Sequence, residues 1–136
     1  MILLEEPMQS RICVVVLLVY ILTACSPTPK VMGTLRGHVT IGPLVPAIQE
    51  GWPEPTPDPQ VYAARQIVIF KANGKTEVAR ADINTQGNYE ISLPVGTYVV
   101  DINRIGIDHS KGLPKEVEIL ANEVTVLDVD IDTGIR

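Results

Sequence analysis

The stretch that decides the fold is ADINTQGNYEISLPVGTYVVDIN, residues 81–103. Apolar and polar residues alternate over residues 88–93 and again over residues 97–103. A period of two places one set of side chains on a buried face and the other in water, as in a half-buried β-strand. Pro94, which cannot donate to a ladder, and Gly96, which accepts a positive φ, separate the two runs. The pattern predicts two adjacent strands joined as an antiparallel hairpin.

The same alternation predicts the rest of the sandwich. The inward-facing residues of the first two strands are Tyr89, Ile91, Leu93, Tyr98, Val100 and Ile102. Five further strands are predicted within residues 33–41, 61–71, 76–83, 117–119 and 123–132. Four successive apolar residues at 67–70 indicate either a central strand that is buried on both faces or a strand at a crossover between sheets. Asn73-Gly74 predicts a type I′ hairpin turn.

Composition restricts the class of protein. The chain has 136 residues, enough for one domain, with 10 Gly, 11 Pro and a net charge of −5. No long segment after residue 24 has helical periodicity, so the expected fold is all-β, a seven-stranded Greek-key sandwich. A mildly acidic chain without a basic block lacks the electrostatic footprint of a nucleic-acid-binding protein.

The amino-terminal segment has the pattern of a secretory signal. Residues 12–22 form an apolar run of 11 residues, too short to span a bilayer comfortably, and Arg11 precedes it. Glu5 and Glu6 are unusual in a basic leader, so Met1 and Met8 both stay open as the start of translation.

Leu22-Thr23-Ala24-Cys25 closes this run and resembles the lipobox of bacterial lipoproteins. The resemblance implies cleavage after residue 24, a diacylglyceryl thioether on Cys25 and attachment to the membrane through lipid. The expected organisation is a signal peptide at 1–24, a lipidated tether at 25–32 and a sandwich at 33–136. Ser26 is not Asp, which in diderm lipoproteins favours the outer membrane over retention in the cell membrane. Both membranes stay open, with the domain outside the cytoplasm.

A proline-rich insert, GPLVPAIQEGWPEPTPDPQ at residues 42–60, interrupts the sandwich. Dense proline favours extended backbone, and a loop of this length inside a domain is often functional. Trp52 is the only tryptophan in the chain. The first interpretation is that Trp52 packs the insert onto the sandwich edge. The second is that Trp52 contacts a partner.

Three segments carry residue types that are found in chemical sites. Asp82 and Asn84 stand before Gly87 as in the first half of a calcium loop, but the twelfth position is Leu93, so a plain turn is the preferred interpretation over a weak calcium site. Asp108-His109-Ser110 holds the residue types of a hydrolase triad, yet adjacent residues cannot converge on one reacting atom. His38 is interpreted as a cross-strand neighbour of an acidic residue rather than as a metal ligand.

Two motifs resemble one family. These are Gly33-Thr34-Leu35-Arg36-Gly37-His38-Val39 and Leu93-Pro94-Val95-Gly96-Thr97-Tyr98. Together with the acidic turn before Tyr89, they are similar to the carboxypeptidase regulatory-like domains, which share a transthyretin-like (prealbumin-like) β-sandwich. The resemblance implies a folding, spacing or binding module. It does not extend to the isopeptide bond of adhesin repeats or to the sites of enzymes that share the fold.

The function expected from these observations is that of a surface-anchored, non-enzymatic lipoprotein that acts as a binding or structural module. No cofactor is expected, and the partner is an unidentified envelope protein or glycan. A carbohydrate-binding module that uses the proline-rich insert and Trp52 is one alternative. A small extracytoplasmic enzyme is another, although nucleophile, base and oxyanion donors do not converge in the sequence.

Overall fold

The computed structural model describes residues 26–136, and Cys25 and the predicted signal peptide lie outside the described residues. The chain is almost entirely β-structure. The strands are β1 Met32–Gly42, β2 Gln66–Lys71, β3 Glu77–Asp82, β4 Asn88–Pro94, β5 Gly96–Ile102, β6 Lys115–Ile119, β7 Val124–Val126 and β8 Val129–Asp132, and the one helix among the described residues is α1 Pro59–Ala63.

Two sheets form the sandwich. In the first sheet β1 pairs antiparallel with β4 and parallel with both β7 and β8. The second sheet has the order β3-β2-β5-β6, and its ladders are antiparallel. The predicted all-β sandwich is confirmed.

The faces that the alternation predicted to be buried do face the core. Tyr89 and Leu93 of β4 and Val100 and Ile102 of β5 are buried, while Ile91 and Tyr98 are partly buried and pack against the same core. In β2 three successive residues, Ile67, Val68 and Ile69, are buried, as expected for a central strand. The sandwich is thus held together by aliphatic packing with a few tyrosines.

The predicted hairpin between β4 and β5 is wrong. Strand β4 pairs with β1 in the first sheet, and β5 pairs with β2 and β6 in the second. The turn at Val95 therefore carries the chain from one sheet to the other. Because both strands turn their apolar faces into one shared core, their alternation is the same as that of a hairpin.

A second turn differs in type from the prediction. Strands β2 and β3 form an antiparallel hairpin across Asn73-Gly74, as expected. Among the described residues other than glycine, only Asn122 has a positive φ, so Asn73 does not adopt the type I′ conformation. The Gly74 amide donates to Lys71 O, and Asn73 Oδ1 accepts from the amides of Lys75 and Thr76, which makes a longer turn.

The predicted closing strand is divided into β7 and β8, so the described chain has eight strands rather than seven. The division lies at Leu127 and Asp128, opposite Gly37 of β1. The carbonyl of Leu127 lies where a Cβ at position 37 would be. Glycine at position 37 therefore allows the closing segment to cross directly over β1.

The segment before β2 also differs from the prediction. Residues 61–63, predicted as strand, belong to α1, and β2 starts at Gln66. Asp58 caps this helix, its Oδ1 accepting from the Gln60 amide, and Pro59 stands in the first turn. Asp followed by Pro is a signal for a helix start, and it was present in the sequence.

The strands define two ends of the sandwich. The tether pole is the end where β1 begins, formed by Val31, Met32, Val95, Leu120 and Asn122: Val95 donates its amide to Val31 O and Asn122 donates to Met32 O. The distal pole is the opposite end, where β1 finishes at Gly42. It carries the proline-rich segment, α1, the 103–114 loop and residues 133–136.

Candidate functional site

The proline-rich segment leaves the sandwich at the end of β1 and returns through α1. At its start Thr133 donates its amide to Gly42 O. Further along, the Trp52 amide donates to Gln49 O and closes a local turn. The Trp52 side chain is 71% exposed. The interpretation in which Trp52 packs the segment onto the sandwich edge is therefore wrong.

Trp52 borders a shallow apolar hollow on the surface of the segment. The hollow has a volume of about 230 Å³ and is lined by Val45, Ala47, Ile48, Gln49, Trp52, Pro53 and Pro55. Ile48 is also exposed. An indole beside aliphatic and proline side chains is the kind of surface that contacts a partner protein or the flat face of a sugar.

A buried ion pair fixes the base of this pole. Arg65, just after α1, donates from Nε to Asp108 Oδ2 at 2.8 Å and from a terminal nitrogen to Asp108 Oδ1 at 3.3 Å. The same guanidinium donates to Val61 O within the helix. The two side chains are only 13% and 5% exposed. Sequence analysis missed this pair, because no local pattern links residues 43 positions apart.

The Asp108-His109-Ser110 segment does not assemble as a hydrolytic triad. The Asp108 carboxylate is occupied by Arg65. His109 points elsewhere, with Nε2 3.6 Å from Asp132 Oδ2. The Arg136 guanidinium and then the Gly134 amide hold the pKa of Asp132 at about 2 by hydrogen bonds, so Asp132 is charged at neutral pH.

A polar cleft of about 730 Å³ lies on the outer face of the first sheet. Its polar lining is Arg36, His38, Asp82, Asn84, Asn88 and Glu90. His38 faces Asn88 across the β1–β4 ladder, and its Nδ1 is 2.9 Å from Asn88 Oδ1. On the β4 side, Glu90 stands opposite Arg36 rather than His38. On the other side of β1, the His38 amide donates to Asp128 Oδ1 at 2.9 Å, so the predicted acidic neighbour of His38 is Asp128.

The turn after β3 uses its side-chain oxygens internally. Asn84 Oδ1 accepts from the amides of Gln86 and Asn88, each at 2.9 Å. Asp82 Oδ1 accepts from Gln66 Nε2 at 2.7 Å. Within residues 26–136, no three His, Cys, Asp or Glu side chains come close enough to hold a metal ion together. The hydrogen bonds of Asn84 explain the shape of this turn without calcium, as is common for Asn in turns.

The buried hydroxyl of Tyr89 has a hydrogen-bond partner inside the sandwich. Tyr89 donates its hydroxyl to Leu127 O. Burial, and secondarily the negative charge of Asp128, raises the pKa of Tyr89, so this hydroxyl stays protonated and acts as a donor.

No helix in residues 26–136 combines the length and the apolar character needed to cross a bilayer.

Comparison with known proteins relates this chain to others through fold only. No family model and no curated protein matches the sequence. Among solved structures, the chain is similar to GBS52, the minor pilin of the gram-positive pathogen Streptococcus agalactiae, with a TM-score of 0.50 and 15% identity over 76% of this chain and 45% of the pilin.

Two further structures match less well. These are the TIE protein of Bacillus anthracis (TM-score 0.48, 14% identity, 75% of this chain and 16% of that one) and a DUF3823 family protein of Parabacteroides merdae (0.44, 15%, 76% and 47%). The chain thus covers less than half the length of each of these proteins. The likeness to the pilin shows a shared β-sandwich.

Proposed function

We propose that this protein is a lipid-anchored, extracytoplasmic and non-enzymatic β-sandwich that presents its distal pole to another component of the cell envelope. The observation that carries the proposal is the exposure of Trp52 in an apolar, proline-rich segment at the pole opposite the predicted tether. The fold shared with part of a minor pilin agrees with a structural module and assigns no partner.

The proposed anchor is Cys25. It follows an apolar run of signal-peptide length and precedes Ser26-Pro27-Thr28-Pro29, a sequence that favours extended backbone. Several acyl chains on one residue would bury enough CH₂ groups for stable attachment, which a single chain does not achieve.

The proposed contact surface is suited to binding because its backbone is restricted. Pro46, Pro53, Pro55 and Pro57 fix φ at their positions, so less conformational entropy is lost when the segment is immobilised by a partner. The base of the segment is held by the Arg65–Asp108 pair and by Thr133. An exposed aromatic on a restrained loop is a common centre of binding energy.

The anchor is tested by Cys25→Ser in the full chain, expressed in a bacterium that processes lipoproteins. Wild type should incorporate labelled fatty acid and lose residues 1–24, whereas Cys25→Ser should remain unlabelled. Fatty-acid labelling of the variant at the wild-type level would refute lipidation at Cys25.

The contact surface is tested by placing a photo-crosslinking phenylalanine derivative at position 52 and, as the control, at Val78. Val78 is an exposed residue of β3, away from the distal pole. We expect a discrete protein adduct on intact cells from position 52 but not from position 78. Equal crosslinking at the two positions would argue against a specific surface.

A second candidate, carbohydrate binding, is supported by the same exposed indole, because sugars stack on aromatic faces. It predicts that envelope oligosaccharides change Trp52 emission in a saturable manner. If added oligosaccharides leave Trp52 emission unchanged and position 52 gives a protein adduct, the partner is a protein.

A further inference from the structure

Four large apolar side chains are exposed together at the tether pole. Val31, Met32, Val95 and Leu120 are between 39% and 55% exposed. The backbone holds them next to one another: Val95 donates to Val31 O, Met32 stands opposite Pro94, and the Leu120 carbonyl lies against Gly33. A contiguous exposed apolar patch on a small domain commonly marks an interaction surface.

The position of this patch identifies what it would contact. Six residues, 26–31, separate Cys25 from the start of β1 at Met32. Seven steps along the chain join Cys25 to Met32, so this tether spans at most about 25 Å when fully extended. If Cys25 carries lipid, as proposed above, the tether pole cannot move farther than this from the bilayer, whereas the distal pole points away along β1.

The charges at the two poles differ in sign. Lys30 precedes β1, and Lys71 and Lys75 flank the β2–β3 turn at the tether pole. Of the acidic residues near this pole, Glu77 pairs with Arg80, which leaves Glu118 and Glu123. The distal pole holds Glu50, Glu54 and Asp58 outside the strands and Asp130 and Asp132 in β8, and of these Asp132 pairs with Arg136. Lysines around an apolar patch complement anionic lipid headgroups.

We infer that the tether pole rests on the bilayer surface, with Val31, Met32, Val95 and Leu120 in the interfacial region and the lysines at the headgroups. The inference extends the proposed lipid anchor to a fixed orientation. Contact by the pole supplies a second attachment besides the acyl chains, and it holds the domain upright. Trp52 then lies at the outermost end of the protein.

The test uses tryptophan as a depth probe in the full lipidated chain, reconstituted in vesicles of phosphatidylethanolamine and phosphatidylglycerol with brominated acyl chains. Since Trp52 is the only tryptophan, a Trp52→Phe background allows a single probe to be placed at Val95 or at Leu120. The matched control is Ile107→Trp in the same background, because Ile107 is an exposed apolar residue of the distal pole.

We expect about a twofold loss of emission from Val95→Trp and Leu120→Trp, because an indole at the membrane interface lies within reach of the brominated chains. Wild-type Trp52 and Ile107→Trp should lose little. Equal quenching at all positions, or none at positions 95 and 120, would overturn the orientation. Self-association in detergent that is abolished by Leu120→Ser, without lipid quenching, would assign the patch to a second copy of the chain instead.

Flotation of the same vesicles separates this inference from the anchor on which it rests. Wild type that floats without quenching at positions 95 and 120 retains the anchor and refutes only the contact. Wild type that neither floats nor carries lipid by mass spectrometry refutes both.

Discussion

Tyr98 and Tyr89 stabilise the sandwich by the same means from opposite sheets. The Tyr98 hydroxyl donates to Pro94 O at 2.6 Å, four residues back in the chain. The sequence predicts this tyrosine corner as an alternative to plain core packing, and the hydrogen bond confirms it. The bond holds the turn at which the chain passes from β4 in one sheet to β5 in the other.

Tyr98→Phe should therefore lower the free energy of unfolding by about 1 kcal/mol, the usual net value of one hydrogen bond. Tyr89→Phe should cost more, because Tyr89 is more deeply buried and its loss leaves Leu127 O without this donor. Urea denaturation of the three proteins measures both effects. A Tyr98→Phe midpoint within error of wild type would mean that only the ring packing matters.

The turn at Asp82 and Asn84 leads to a prediction about calcium. Because Asn84 Oδ1 already accepts two backbone amides, we expect calcium to leave the thermal midpoint unchanged. A site with a dissociation constant of about 1 mM would instead add about 1.4 kcal/mol at about 10 mM calcium. A thermal melt with calcium and then with chelator decides between the two. A rise that Asp82→Ala abolishes would establish the calcium site.

At the scale of elements, the sequence predicted which faces are buried and the β2–β3 hairpin, and failed on the partners of β4 and β5. Alternation reports only the side on which a residue meets the core. Strands β4 and β5 face the same core from opposite sheets. Residues such as Tyr89 and Val100 would be buried both in this arrangement and in a β4–β5 hairpin, so the alternation does not distinguish the two. The pairing depends on long-range packing, such as β7 and β8 lying beside β1, which no local pattern contains.

The packing of β7 and β8 beside β1 depends on the absence of a side chain at Gly37. A Cβ at position 37 would meet the Leu127 carbonyl group and the Tyr89 ring. Gly37→Ala should lower the free energy of unfolding by roughly 3 kcal/mol, because backbone atoms of the closing segment must move. The control is Gly112→Ala, since a Cβ there would meet nothing within 4 Å. Similar urea midpoints for the two variants would contradict this account.

The Arg65–Asp108 pair joins α1 to the 103–114 loop, and removing one partner leaves a buried charge. Asp108→Ala should therefore cost about 3 kcal/mol of the free energy of unfolding. The exposed Glu77–Arg80 pair provides the control, and Glu77→Ala should change the urea midpoint far less. Adding Arg65→Ala to Asp108→Ala should restore part of the loss. If the double variant loses more free energy of unfolding than the two single variants lose together, the ion pair is not what holds the loop.

At the scale of the whole molecule, the two poles follow from the direction of β1. This strand runs from the predicted tether at Met32 to the proline-rich segment at Gly42, so anchor and candidate contact surface lie at opposite ends. The sequence identified both segments but not their relation. Proline fixes φ at single positions without fixing the direction of a loop, so whether Trp52 faced the sandwich or the solvent could not be predicted.

That arrangement separates the only tryptophan from the core, which consists of aliphatic residues with Tyr62 and Tyr89. Since Trp52 is 71% exposed, its native emission maximum should lie close to that of free tryptophan and shift little during urea unfolding. Far-ultraviolet circular dichroism should meanwhile report one cooperative transition, as is usual for a single small domain. Trp52→Phe should leave that transition unchanged. A blue-shifted native emission that moves to longer wavelength together with the dichroism signal would place Trp52 against the sandwich, and the distal pole would lose its exposed contact residue.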